Sequence, residues 1–335
     1  MNLFLWIPLW GQALLLEKLH TNELDTIIFK AIQSAVSVRE LRAHVEFLAS
    51  DALQGREAGT PYEKVAAAYL IAQHRRFGSQ PLLKEGYIHA FPLSSRKSLP
   101  PKRSRKPTSP RSDTSFAWNV IGIQRGSVYP HQYIILCAHY DHIGTTPQGE
   151  VYNGADDNGS GTALLLEVAR VLQSLPPPKR TILFFHTAAE EKGLLGAFRF
   201  VRDSLIPLDS IVAVINADML GRTDTLHAPE EFYLYAIGSD RTTPRLRHLH
   251  EKVNNLCCGW HFDYRYDTPK DPLRLFYRSD HYAFAQKGVP IVFYFGGFHS
   301  DYHKVEDDAD KIDFERLKKA TILIASLAWT LATLE

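Results

Sequence analysis

"QYIILCAHYD" (132–141) is an apolar, β-rich run that ends in His139 and Asp141, and "GTALLLEVARVLQSL" (161–175) follows it at helical spacing. A wholly apolar strand next to an amphipathic helix is the repeating unit of a parallel sheet covered on both faces. The unit recurs. "RTILFFHTA" (180–188) reads as a strand and "LGAFRFVRDSL" (195–205) as a helix. "SIVAVINADM" (210–219) and "EFYLYAIGS" (231–239) are strands, with a helix near 241–255. "HYAFAQKG" (281–288) is helical, "VPIVFYF" (289–295) a strand, and "DFERLKKATILIASLAWTLATL" (313–334) a closing helix. The expected architecture is three-layer α/β/α with a central, mostly parallel mixed sheet.

Two helices precede this pattern. "VRELRAHVEFLASDALQGREAGT" (38–60) starts helical and breaks at a Gly-containing loop. "PYEKVAAAYLIAQHRRFG" (61–78) has Pro at its start and Gly past its end, which are helix punctuation marks. Residues 95–113, "SRKSLPPKRSRKPTSPRSD", lack apolar periodicity and read as a basic surface excursion.

A net charge of +1 on 335 residues gives no electrostatic reason to expect nucleic acid or an anionic membrane as partner. Three cysteines cannot form a disulfide framework. Cys257 and Cys258 are adjacent, so a bond between them would close a strained ring, and both read as structural residues. The N-terminus "MNLFLWIPLWGQALLLEKLH" has a short apolar run followed by Gly11 and Ala13, which suits a signal peptide cleaved after Ala13. That run is too short to span a bilayer, so export without stable membrane insertion is expected.

In sheets of this kind ligands bind beyond the carboxyl ends of the strands. Those ends carry His139 and Asp141, then Asp156 and Asp157 in "YNGADDNGSG", then Glu190 and Glu191, then Asp218, and finally Tyr302 and His303. An isolated Asp or His at a strand end is ordinary, and His142 and His186 read as such. Converging carboxylates would repel one another unless divalent cations neutralised them. Mixed imidazole and carboxylate donors point to zinc, and five side chains suit two ions with a bridging carboxylate. The HExxH pattern of single-zinc proteases does not occur.

The order H-x-D, G-A-D-D-N-G-S-G, E-E, N-x-D-M-x-G, Y-H-x-x-x-D resembles the co-catalytic zinc exopeptidases of clan MH, the leucyl aminopeptidase and aminopeptidase Y type. The resemblance runs from about residue 39 to 330 and includes "LASDALQGREAGTPYEKVAAAYLIAQ" and "SDHYAFAQKGVPIVF". It implies one peptidase domain over 14–335 and two Zn²⁺ ions as cofactors. It makes Asp156 the bridge, His139 and Asp218 the ligands of one ion, and Glu191 and His303 those of the other. Glu190 is then the general base, Asp141 orients His139, and Asp280 and His281 support the site. Peptides with a free N-terminus are the implied substrates. Glutaminyl cyclases share most of these motifs but usually carry Trp where this chain has Tyr302, and receptor-like relatives lose the ligands. Both remain rival readings of the sequence.

Overall fold

The structure, a computed structural model, describes residues 23–93, 115–228 and 231–334. The expected signal peptide at 1–13 lies outside the described residues, as does the basic stretch at 95–113.

Among the described residues nine strands form one mixed sheet: β1 (Gln80–Pro81), β2 (Ile88–Pro92), β3 (Phe116–Gln124), β4 (Tyr129–His139), β5 (Arg180–Thr187), β6 (Ile211–Asp218), β7 (Tyr233–Ile237), β8 (His261–Asp263) and β9 (Ile291–Phe295). Their order is β1-β3-β5-β4-β6-β9-β7-β8, and β2 also pairs with β3. The four central strands β5, β4, β6 and β9 are mutually parallel, as the alternation of strands and helices predicts. The antiparallel edge made by β1, β2 and β3 is not foreseen from the sequence. Among the described residues no helix separates these strands, so they lack the signal that betrays the parallel ones.

Side chains alternate across a strand, and the central strands send both sets into apolar layers. Ile134, Leu136, Ile182, Phe184, Ile215 and Tyr294 pack on one face against α1 (Glu23–Ala35), α2 (Val38–Leu48), α4 (Gly161–Gln173), α6 (Pro244–Cys257) and α8 (Phe314–Thr333). Ile135, Cys137, Leu183, Phe185, Val214 and Phe293 face the other way, toward α5 (Leu195–Arg202) and α7 (His281–Ala285). Residues of α3 (Pro61–Phe77) pack with Phe91, Ala117 and Val120 of β2 and β3 in a smaller cluster. Thr60 caps α3 by accepting from the Glu63 N–H, and Gly78 ends it at φ 85°, where a Cβ would be disfavoured.

The cysteine expectation is corrected. Cys257 and Cys258 are joined, with their Cα atoms 3.8 Å apart. Cys258 lies just past the end of α6 and has left helical geometry, so the helix does not hold the two side chains apart.

Arg56, wholly buried, is the bolt that fastens the leading segment to the sheet. Its Nε donates to the Tyr140 carbonyl at 2.7 Å, and its Nη1 donates to the Leu48 and Asn153 carbonyls. Nη2 reaches the Gly154 carbonyl at 3.0 Å. Burial pulls its pKa down to about 10, opposed by Asp141 and Asp307, so the group stays charged at neutral pH. Arg56→Met would leave these carbonyls buried without donors. We expect a loss of at least about 3 kcal/mol, read as a lower urea midpoint at unchanged m-value.

Candidate metal centre

The carboxyl ends of β5, β4 and β6 stand side by side, with His139 level with Thr187 and Asp218 level with Phe295 of β9. His139 ends β4 and Asp218 ends β6. Glu190 and Glu191 follow β5, and His303 lies in the loop after β9. Three non-glycine residues here have left-handed backbones: Ala189 (φ 60°), Met219 (φ 54°) and His303 (φ 56°). Strain of this kind clusters at functional sites.

The structure brings Asp157, not Asp156, into the cluster of imidazoles and carboxylates, which departs from the sequence expectation for Asp156. Asp157 Oδ1 is 3.4 Å from His139 Nε2, and Asp157 Oδ2 is 3.1 Å from His303 Nε2. Asp156 points elsewhere: its Oδ1 accepts from the Gly221 N–H at 2.7 Å, and its Oδ2 lies 3.3 Å from His299 Nε2. Asp157 has extended backbone angles (φ −104°, ψ 91°), so the two neighbouring carboxylates diverge. The turn is braced by Asp307, whose carboxylate accepts the N–H groups of both aspartates at 3.1 Å. Asn158 adds bonds to the Ala217 carbonyl and from the Gly161 N–H. Gly154 (φ 54°) cannot be replaced cheaply, because a Cβ would sit 2.4 Å from the Asp157 carbonyl oxygen.

The remaining ligand candidates converge on Asp157. His139 Nε2 is 3.4 Å from Asp218 Oδ1, and His303 Nε2 is 3.3 Å from Glu191 Oε2. Asp157 Oδ2 and Asp218 Oδ1 are buried without a hydrogen-bond partner. Two ligands held ~2.1 Å from a tetrahedral zinc lie ~3.4 Å apart, which suits the contacts of 3.4, 3.4 and 3.3 Å better than direct hydrogen bonds do, while the 3.1 Å contact between Asp157 and His303 fits either. Electrostatics agree. Burial alone would lower both imidazole pKa values, yet Asp218 and Glu190 carry His139 well above its ordinary value, and Asp157 and Glu191 carry His303 to about 10. The carboxylates demand positive charge at both positions.

Supporting groups surround the cluster. Ser279 donates to Asp218 Oδ2 at 2.8 Å and accepts from Asn216, which leaves Asp218 Oδ1 facing inward. His142, read from the sequence as an ordinary loop residue, stands 3.0 Å from Glu191 Oε1 and 3.9 Å from Asp157 Oδ2. His186 is remote, paired with His74 at 3.0 Å in the core. Asp141 acts on His139 chiefly through its backbone: His139 Nδ1 is 3.2 Å from the Asp141 carbonyl oxygen and 3.9 Å from its carboxylate. That carboxylate accepts the Glu190 N–H at 3.1 Å, and burial raises its pKa to about 8 against the pull of His139. Asp280 accepts from the Thr187 hydroxyl, and His281 Nε2 bonds the Phe276 carbonyl at 2.9 Å, so neither reaches the cluster.

Residues 119–328 match the profile of peptidase family M28. The chain belongs to that family. It is 32% identical over 221 residues to aminopeptidase YwaD of Bacillus subtilis, which covers 63% of this chain and 44% of that protein. The chain thus spans less than half the length of this relative. Its fold is similar to an aminopeptidase from Aneurinibacillus sp. strain AM-1 (TM-score 0.67, 16% identity, 92% of this chain and 97% of that one). It is also similar to glutaminyl cyclase from Porphyromonas gingivalis (TM-score 0.64, 20% identity, 88% and 98%). At these identities the structural likeness concerns the fold.

In this M28 chain the cluster forms the floor of a pocket. Met219, Leu275, Phe293, Phe295, Phe298 and Tyr302 line its apolar wall, and Arg278 lies at its edge. Tyr302 stacks on His303 with ring centroids 3.9 Å apart.

Proposed function

We propose that this chain is a metallo-aminopeptidase that releases N-terminal residues from peptides, with two zinc ions and Glu190 as general base. The observation that carries the reading is the Asp157 carboxylate, whose two oxygens face two different imidazoles. His139, Asp157 and Asp218 would hold one ion, and Asp157, Glu191 and His303 the other. The nitrogen and oxygen donors fit zinc. Such an ion pair, when bound, polarises a carbonyl and makes water a nucleophile near neutral pH.

Glu190 is suited to moving the proton. It lines the pocket, and its carboxylate lies within 4.8 Å of the ligand atoms of His139 and Asp218. Burial raises its pKa well above the ordinary value, with Asp280 and Glu191 adding to the shift and His139 opposing it. A carboxylate whose proton affinity burial has raised takes a proton from the attacking water and returns it to the leaving amine. A free α-ammonium has carboxylates to meet at the same floor, which favours exopeptidase action. The apolar wall favours large apolar N-terminal side chains, and faster release of Lys or Asp than of Leu or Phe from nitroanilides would sink that preference.

The direct test is metal analysis with a peptide digest. We expect about two zinc per chain and stepwise release of N-terminal residues. A pyroglutamyl product from a Gln-peptide, with no amino acid released, would replace the reading with glutaminyl cyclase. A protein with no zinc and no gain on adding it would indicate a binding protein. Chelation should abolish activity and also lower Tm by at least ~5 °C, because a ligand at a thousand times its Kd contributes about 4 kcal/mol. Readdition of zinc should restore both.

Export is part of the same proposal. Among the described residues no helix is long and apolar enough to cross a membrane. Native protein should begin at Leu14, and N-terminal sequencing that returned Met1 would remove the basis for a cleaved signal.

A further inference from the structure

The pocket has opposite charges at its two ends. Its floor gathers Asp157, Glu190, Glu191 and Asp218, while Arg278 stands among the aromatic residues at its edge. Arg278 is exposed, and its guanidinium forms no ion pair among the described residues. Its contacts are soft: Nη2 lies 3.5 Å from the Tyr302 hydroxyl, and the guanidinium carbon is 5.1 Å from the Phe298 ring centroid. Tyr302 in turn stacks on His303, so Arg278 stands one side chain away from the proposed ligands.

An unpaired guanidinium at the edge of a binding pocket offers a planar fork matched to a carboxylate. It also repels an α-ammonium, which is therefore directed to the acidic floor. We infer that Arg278 is a specificity-determining residue that binds a carboxylate of the substrate on the leaving side of the scissile bond, favouring short peptides. The inference rests on the aminopeptidase reading. Two sources supply that carboxylate: the C-terminus of a dipeptide, or an acidic side chain on the residue after the cleaved bond. A dipeptide extends by only ~7 Å between its ends, so its C-terminus stays close to the pocket edge.

The test uses zinc-loaded full-length protein and matched pairs of substrates. The first pair is Leu-Leu and Leu-Leu-amide; the second is Leu-Glu-amide and Leu-Gln-amide. The quantity read is the ratio of kcat/KM for the charged member to that for the neutral one. One charge-assisted pair at a partly exposed site should give about a tenfold ratio, carried by KM, in at least one series. The first series responding identifies the C-terminus, and the second identifies the side chain. Arg278→Ala should collapse that ratio toward one, whereas Arg278→Lys should retain part of it. A merely structural role would lower both members of a pair together and leave the ratio unchanged. Ratios near one in the unaltered protein, or a ratio that survives Arg278→Ala, would overturn the inference while leaving aminopeptidase activity standing. Absence of hydrolysis in all four substrates would overturn the activity itself, and the inference with it.

Discussion

Glu190→Gln is expected to keep about two zinc per chain while kcat falls by ~10²–10⁴-fold, the range associated with losing a general base. The substitution keeps the size and shape of the side chain but removes the proton acceptor. It touches none of the four contacts that His139 and His303 make through Nε2, which run to Asp157, Asp218 and Glu191. KM for leucyl-p-nitroanilide should change far less than kcat, because the group acts on the proton in flight. Glu191→Gln is the contrast. Its Oε2 faces His303 and its Oε1 faces His142, so the amide should weaken one metal position, and excess zinc should restore part of the activity. Zinc loss in Glu190→Gln with retention in Glu191→Gln would reverse the two roles.

Asp157→Asn should produce the other large effect. A carboxylate can present one anionic oxygen to each of two cations; an amide presents one neutral carbonyl oxygen. Zinc content should fall below two per chain, and activity should fall by more than the ~10–100-fold typical of groups that only support a ligand. Asp156→Asn provides the comparison. Its carboxylate holds the Gly221 N–H and lies beside His299, so we expect retained zinc and a stability loss of about 1–3 kcal/mol. Metal analysis and urea titration of both variants separate the two residues. Loss of zinc from Asp156→Asn alone would restore the bridge to Asp156.

The Asp pair shows where sequence reading stopped short. Successive side chains of an extended backbone point in opposite directions, so only one of the two neighbouring aspartates can face the cluster. Within "GADDNGSG" nothing local says which aspartate faces the strand ends. The choice is made by Asp307, Gly221 and His299, all more than 60 positions away in the chain. His142 gives no signal in the sequence for a similar reason, since only the fold brings Glu191 within 3.0 Å of it. Arg278 carries no visible signal in the sequence, because an arginine before a Ser-Asp-His motif becomes informative only when it lines a pocket and has no acidic partner among the described residues.

The sequence by itself determined the central architecture, the family, and the segments from which the site residues come. Apolar strands such as Arg180–Thr187 and Ile211–Asp218 carry their burial on both faces in their composition, and polar residues collected just past their ends mark one rim. Such signals are local, because they arise from residues adjacent along the chain. Tertiary structure alone decided the antiparallel edge, the bond between Cys257 and Cys258, the anchoring by Arg56, and the turning of Asp157 rather than Asp156 into the site. Three of these depend on contacts between segments distant in sequence, and the cysteine bond depends on the backbone leaving its helix at Cys258. A side chain's direction there follows from hydrogen bonds that exist only after the sheet has brought the strand ends together.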